Sequence, residues 1–546
     1  MAAIQLDSKS VSQLSHLQGR SSSSLLKAND ILNINHRKNH IIFIHESIDG
    51  VFMHNNIAHH TLTILALGGT PRDLESHFQA NSAYQRAQPS DAAGNVTELD
   101  DLKSWETAFG HEENYGIFLH FFEAQLESKP IEEVLDSYLF SDTYIARRIM
   151  VRMFMGFVHP FIHLGLVVEF QQSAIVAEAL AQACIHHDDY LFPFFHDAEE
   201  GSGNDHHRGS LMVELLAEAR CEQKIKNSTS FSTFERLEDG VLQNARLEIT
   251  RIASRWSVES GDVNRVATEL LNASVFLVAG AQRPPHPVRF DFFLMHSLNA
   301  AMFLSALIAL PRIGNEAKAR LLESFGRYMI LLYAAEGSPC LDMTPVNQQS
   351  PLGAGGWKDT VARITTYCDD GHASKMIRAL AHAEKVCEAY EGQPGFAVSG
   401  QGYLKAAEAI VKSLNWEGAG PAGPGRTEPW VRGAGFADAW NGGLFPYKDP
   451  SGRAATNNST SSPEAQVFPG TYCNTTAITT WEQAERWSQF VNEFYVVKNL
   501  TLAYGSFVLA DYIQHNPSVG QGAAAGNLIP VVLLAEQDNF DLASWF

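Results

Sequence analysis

Histidine stands out when the chain is read for chemistry, at 22 of 546 residues. Four segments set it on an apolar, helix-forming background. The first runs from Val51 through His54 to His59 and His60, and the second carries His159 and His163 and leads on to Glu169. The third places His296 in FDFFLMHSLNAAMF, and the fourth carries His372 and Lys375 after Asp369-Asp370-Gly371. A buried imidazole needs a partner for each ring nitrogen. For His296 alone, a satisfied core histidine is the ordinary expectation. His159 and His163, spaced i, i+4 around Pro160, share a helix face, so they either share a metal or frame a helix start. Four such segments together change the balance, because one divalent ion satisfies them all. Neutral imidazole suits iron, copper and zinc alike. Lys375, three residues after His372, lies on the same helical face. As an ammonium it is repelled by a cation and reads as a surface lysine; carboxylated by CO2, it becomes an anionic oxygen ligand.

Other chemistries leave no signature. G-x-x-x-x-G-K-[ST], G-x-S-x-G and H-E-x-x-H are all absent. GQGAAAG at 520–526 looks like a dinucleotide loop, but no strand precedes it. His186-His187-Asp188-Asp189 contains the H-x-D of oxygenase facial triads, which sit on β-rich scaffolds. It also contains an adjacent His-Asp pair of the kind used by all-helical metal phosphohydrolases, a competing function.

The elements that must position these residues are helical. Apolar periodicity predicts helices near 114–127, 143–156, 160–187, 208–224, 264–279, 290–310, 315–334, 372–390, 402–413, 480–497 and 499–513. A further helical pattern lies between Gly50 and Leu67. Thr70-Pro71 opens another helix, as N-cap and first helical residue. IIFIH at 41–45 is the one candidate strand. The expected fold is all-α, a large helical bundle with long irregular loops. It divides into an N-terminal extension (1–45), a helical core (46–400) and a C-terminal helical part (401–546) with a Gly/Pro/Ser-rich loop at 415–472.

Forty basic against 61 acidic side chains give a formal charge of −21, which disfavours nucleic acid and anionic membrane surfaces as partners. No stretch approaches the roughly 18 apolar residues of a membrane span. The N-terminal residues show no apolar signal region. The six cysteines show no C-x-x-C spacing and read as thiols in a reducing compartment. A cytoplasmic protein is expected.

At its histidine segments the chain resembles the questin oxidase-like family of fungal polyketide pathways. The resemblance rests on HNNIAHHTLTILALGGTPRDLESHFQANSAYQR, GFVHPFIHLGLVVEFQQSAIVAEALA, RFDFFLMHSLNAAMFLSAL and GHASKMIRAL, which span most of residues 45–390. It implies O2-dependent oxidative opening of a quinone ring in an anthraquinone-type aromatic polyketide. The expected centre is non-haem Fe(2+) held by His59 (or its neighbours His54 or His60), His163, His296, His372 and carboxylated Lys375. His159 and Glu169 would orient the ligand imidazoles. Phe292, Phe293 and Trp357 would wall a flat substrate. The first segment departs from the family pattern, which has a second histidine where Asn56 stands, and this leaves the choice among His54, His59 and His60 open. Alternatives are an NADPH-dependent Baeyer–Villiger-type monooxygenase, the His187-Asp188 phosphohydrolase, and a non-catalytic protein that binds aromatic ligands.

Overall fold

In a computed structural model of the chain, the residues described are 4–6, 21–45, 51–88, 99–202, 209–414 and 430–441. The chain divides into two units, Met1–Cys473 and Asn474–Phe546, and every described residue lies in the first. The expected helices at 480–497 and 499–513, the GQGAAAG segment and most of the 415–472 loop fall outside them.

The described residues are predominantly helical, as apolar periodicity without strand alternation requires. The helices that build the site are α1 (Ser22–Lys38), α2 (Ile57–Ala66), α3 (Pro71–Ser82), α4 (Tyr115–Ser128), α5 (Met155–Phe170) and α6 (Ser173–Cys184). Further along the chain come α7 (Val263–Gly280), α8 (Leu294–Ala301), α9 (Asn315–Ala335), α10 (His372–Cys387) and α11 (Gly402–Ser413). Strands among the described residues form two short pairs. β1 (Ile42–His45) runs antiparallel to β2 (Val51–His54), with Ile42 opposite His54. β3 (Phe290–Asp291) runs parallel to β4 (Trp430–Val431).

Local chemistry explains most boundaries. Thr70 caps α3 by accepting from Asp73 N–H while the Asp73 carboxylate accepts from Thr70 N–H, with Pro71 at the first position. α2 is buried along its whole length and begins at Asn56, whose side chain makes no cap bond and is free for another use. Gly371 starts α10 at φ 90°, and a Cβ there would lie 2.9 Å from His60, so only glycine lets α10 start against α2. The Asp369 carboxylate accepts from the backbone N–H of Gly371 and Ala373, taking the capping role that Gly371 lacks.

Some boundaries differ from expectation. The Gly50–Leu67 stretch is strand β2 followed by α2, because Val51-Phe-Met-His54 pairs with β1. The 160–187 pattern is two helices, α5 and α6, parted at Gln171 (φ 55°). Cys368 is disulfide-bonded, against the expectation of six thiols. Tertiary proximity decides such pairing, and spacing along the chain does not report it. Cys184, Cys221, Cys340 and Cys387 are free. No single helix among the described residues is long and apolar enough to cross a membrane.

Candidate metal centre

The site gathers around a break at the start of α5. Gly156, Phe157 and Val158 all have left-handed backbone angles, with φ of 55°, 52° and 57°. For non-glycine residues this conformation costs roughly 1–2 kcal/mol each, most for a β-branched side chain. The preceding helix (Tyr144–Arg152) and α5 are bent by 102° to each other, and the turn brings His159 Nδ1 within 2.7 Å of the Gly156 carbonyl. Gly156 is compact by necessity, because a Cβ there would lie 2.5 Å from His54 and 2.8 Å from His186.

Three imidazoles then face one another. One nitrogen from each of His159, His296 and His372 lies within 4.8 Å of the others, and all three residues are buried. The other nitrogen of each ring is fixed from behind. His159 Nδ1–H donates to the Gly156 carbonyl, and His296 Nδ1–H donates to the Phe292 carbonyl at 2.7 Å. His372 Nδ1–H donates to the Asp370 carboxylate. A carbonyl only accepts, so the proton of each neutral ring sits on Nδ1 and the lone pair on Nε2. His296 Nε2 and His372 Nε2 come within 3.2 Å of each other. Three lone pairs aimed at one place, with no donor among them, form a group that could hold a cation. This donor set fits a divalent metal of the imidazole-binding kind.

The electrostatics agree. Burial, then the neighbouring histidines and Lys375, holds His159 and His296 well below the ordinary imidazole range. Burial also lowers His372, with Asp370 opposing. Lys375 is buried on α10 and its ammonium lies 3.1 Å from Asn56 Oδ1. Burial lowers its pKa to about 8 despite Asp370 and Asp369. Burial and the charge of Asp370 push Asp369 up to about 7, while His372 draws Asp370 below the usual carboxylate range against its own burial.

The first histidine segment divides three ways. His54 is half-buried, stacks on His159 with ring centroids 4.2 Å apart, and its Nε2 lies 3.0 Å from His186 Nε2. His59 faces His163, with Nε2 2.9 Å from His163 Nδ1. His60, one position on, turns to the opposite side against His77 and Asn81. Both His163 nitrogens are engaged, because Nε2–H donates to Glu178 at 2.8 Å. His163 Nδ1 therefore accepts from His59 Nε2–H, and the buried His59 Nδ1 is left with no partner.

Glu169, expected to orient the ligand imidazoles, pairs with Arg378 in the core. Phe292 packs 5.1 Å from both His296 and His372, and Phe293 packs 4.6 Å from Phe157. Trp357 donates to Glu384 at 2.6 Å. The His187-Asp188 pair comes apart. Asp188 is buried against Arg148 and Arg152 at 2.5 and 2.8 Å, while His187 is exposed. Two guanidiniums neutralise that carboxylate, so the phosphohydrolase site does not form. Sequence reasoning overlooked Glu178, although an acid inside the apolar SAIVAEALAQAC pattern is a readable signal. It also overlooked His36, which reads as an ordinary basic residue in the last turn of α1.

The family model for questin oxidase-like proteins matches residues 53–380. The Baeyer-Villiger oxidase ptaJ of Pestalotiopsis fici is 34% identical over 425 residues, which cover 77% of this chain and 93% of the relative. The oxidoreductase AflY of Aspergillus parasiticus is 34% identical over 417 residues, covering 75% and 83%. A questin oxidase of Aspergillus terreus is 30% identical over 421 residues, covering 76% and 91%. The chain belongs to the questin oxidase-like family and is an oxidoreductase.

Proposed function

We propose that this protein is an O2-dependent oxygenase that opens the quinone ring of an anthraquinone-type aromatic polyketide at a non-haem iron centre. The observation that carries the proposal is the convergence of the His159, His296 and His372 Nε2 lone pairs, each ring locked from behind. Lys375, as its carbamate, is the anionic ligand in this reading. Burial lowers the Lys375 pKa to about 8, so a larger share of the amine is neutral near physiological pH than for an ordinary lysine. The neutral form is the one that adds to CO2 with loss of a proton. Asn56, which holds the amine now, would hold the carbamate through its amide N–H. Iron(II) bound there supplies the binding and activation of O2. Phe292 offers a flat apolar face beside His296 and His372 for a planar substrate. His163 takes a neighbouring role rather than that of a ligand, since both its nitrogens are engaged, and His59, which donates to it, lies outside the converging trio.

Elemental analysis of the purified protein, with oxygen-electrode assays on a dihydroxyanthraquinone, tests the reading. The expected result is close to one iron per chain and anthraquinone-dependent O2 uptake without NADPH. Metal-free protein that still binds the anthraquinone would make it a binding protein instead. The names of its relatives favour one alternative, a Baeyer–Villiger reaction. Uptake strictly dependent on NADPH would select its cofactor-dependent form.

A further inference from the structure

Beside the histidine trio, where the His59 ring centroid lies 6.1 Å from that of His159, runs a second string of buried ionisable groups. His36 of α1 lies between two carboxylates, with Nδ1 2.6 Å from Glu178 Oε1 and Nε2 3.2 Å from Glu123 Oε1. The other Glu123 oxygen is 3.3 Å from Nδ1 of His120, a side chain that is 59% exposed. The other Glu178 oxygen accepts from His163 Nε2–H, and His163 accepts from His59, whose free Nδ1 ends the string. The groups come from α4, α1, α6, α5 and α2, so five helices are needed to assemble it.

The pattern of contacts is informative. Every interior member uses one polar atom toward the surface and a different one toward the site. Charge neutralisation alone does not ask for that, and taking ions out of water costs several kcal/mol apiece even when they are paired. Apolar residues of similar volume would hold these helices together at no such cost.

We propose that His59, His163, Glu178, His36 and Glu123 form a proton conduit that carries protons from the site to solvent at His120. His59 Nδ1 takes a proton from the O–H of water or of a substrate hydroxyl in the site, and the His59 Nε2 proton passes to His163 Nδ1. The His163 Nε2 proton passes to Glu178. At the outer end His36, protonated on both nitrogens between its two carboxylates, releases its Nε2 proton to Glu123 and so to His120 and water. Only N–H and O–H bonds break and form, one proton enters as one leaves, and no electron is transferred. Reorientation of the side chains resets the string. The oxygenase reading gives the conduit its use, deprotonation during turnover, but proton passage itself does not depend on it.

The test is Glu123→Gln, which keeps an acceptor for His36 but cannot carry a proton through, with Glu123→Asp as the conservative control. In the full-length protein, kcat for anthraquinone-dependent O2 uptake is expected to fall on the order of tenfold or more, with a larger solvent isotope effect on kcat. KM and iron content should stay near wild type, while the thermal midpoint should fall because His36 loses one of its two buried carboxylates. Glu123→Asp should recover much of the rate at temperatures where both variants are folded. Unchanged kcat and isotope effect would overturn the proposal. A second readout needs no turnover. NMR of full-length protein labelled with 15N-histidine records how fast the His36 and His163 ring protons exchange with D2O. Exchange slowed by Glu123→Gln supports the conduit; exchange at the wild-type rate refutes it. Absence of turnover in every protein, with slowed exchange, would count against the oxygenase reading alone.

Discussion

Replacing Asp370 with asparagine tests whether the proton on His372 is where the metal centre needs it. The Asp370 carboxylate accepts from His372 Nδ1–H, which leaves the lone pair on Nε2, 3.2 Å from His296 Nε2. Asparagine has nearly the same volume but two poor options. Its oxygen can keep the tautomer without the negative charge that makes the ring a better donor to a cation. Its amide can instead donate to Nδ1, which puts the ring proton on Nε2 and removes the ligand. Losing such an outer partner weakens metal binding about 10- to 100-fold, or about 1.4–2.7 kcal/mol. Folding should barely notice, because Asp370 is about one-third exposed and a partly solvated pair contributes at most about 1 kcal/mol. Weaker binding in an equally stable fold is therefore the expected signature. Competition for iron(II) against a chelator of known affinity measures the first, and thermal unfolding followed by circular dichroism measures the second. Wild-type metal affinity in the variant would refute the tautomer argument.

Other outcomes follow from the same geometry. His296→Ala should purify without metal and without O2 uptake while keeping its helical content; full metal occupancy would remove His296 from the ligand set. Lys375→Ala should weaken metal binding without unfolding the protein, and unaltered affinity would show that the lysine is no ligand. Gly156→Ala should destabilise the fold by about 2–3 kcal/mol, because alanine resists φ 55° and its Cβ meets His54 and His186. A denaturation midpoint equal to wild type would contradict that. His36 makes stability depend on pH. Burial lowers its pKa, but Glu123 and Glu178 outweigh this and raise it from 6.5 to about 10. The stabilisation is thus fully present below pH 6.5 and lost as pH rises toward 10. Glu178, drawn down to about 2 mainly by His163 and His36 against its burial, reports the acid side of the same interaction, and the two are not summed. Unfolding free energies between pH 7 and 10 should decline in wild type and flatten in His36→Gln; parallel curves would rule this out.

Much of this protein is set locally and was therefore legible in the chain. The helix expected at 264–279 forms as Val263–Gly280, and the one expected at 315–334 forms as Asn315–Ala335, because apolar residues recurring every three to four positions need no distant information. The cap at Thr70-Pro71 is equally local. The histidine segments declared themselves because imidazoles on apolar faces must find polar partners.

What each imidazole does was decided only by the assembled fold. No propensity places Phe157 and Val158 in left-handed backbone, yet that turn is what aims His159 at His296 and His372. His59 and His60 are neighbours in sequence and point to opposite partners because one helical step rotates the side chain by about 100°. Asp188 looked like a ligand beside His187 until Arg148 and Arg152 closed on it. Periodicity is a property of one element and is written in a dozen residues. The position of a ring's lone pair depends on which carbonyl or carboxylate lies behind the ring, and for His163 that acceptor is Glu178 on a different helix. The sequence therefore determined that buried imidazoles would meet, and the tertiary structure determined which of their nitrogens are free.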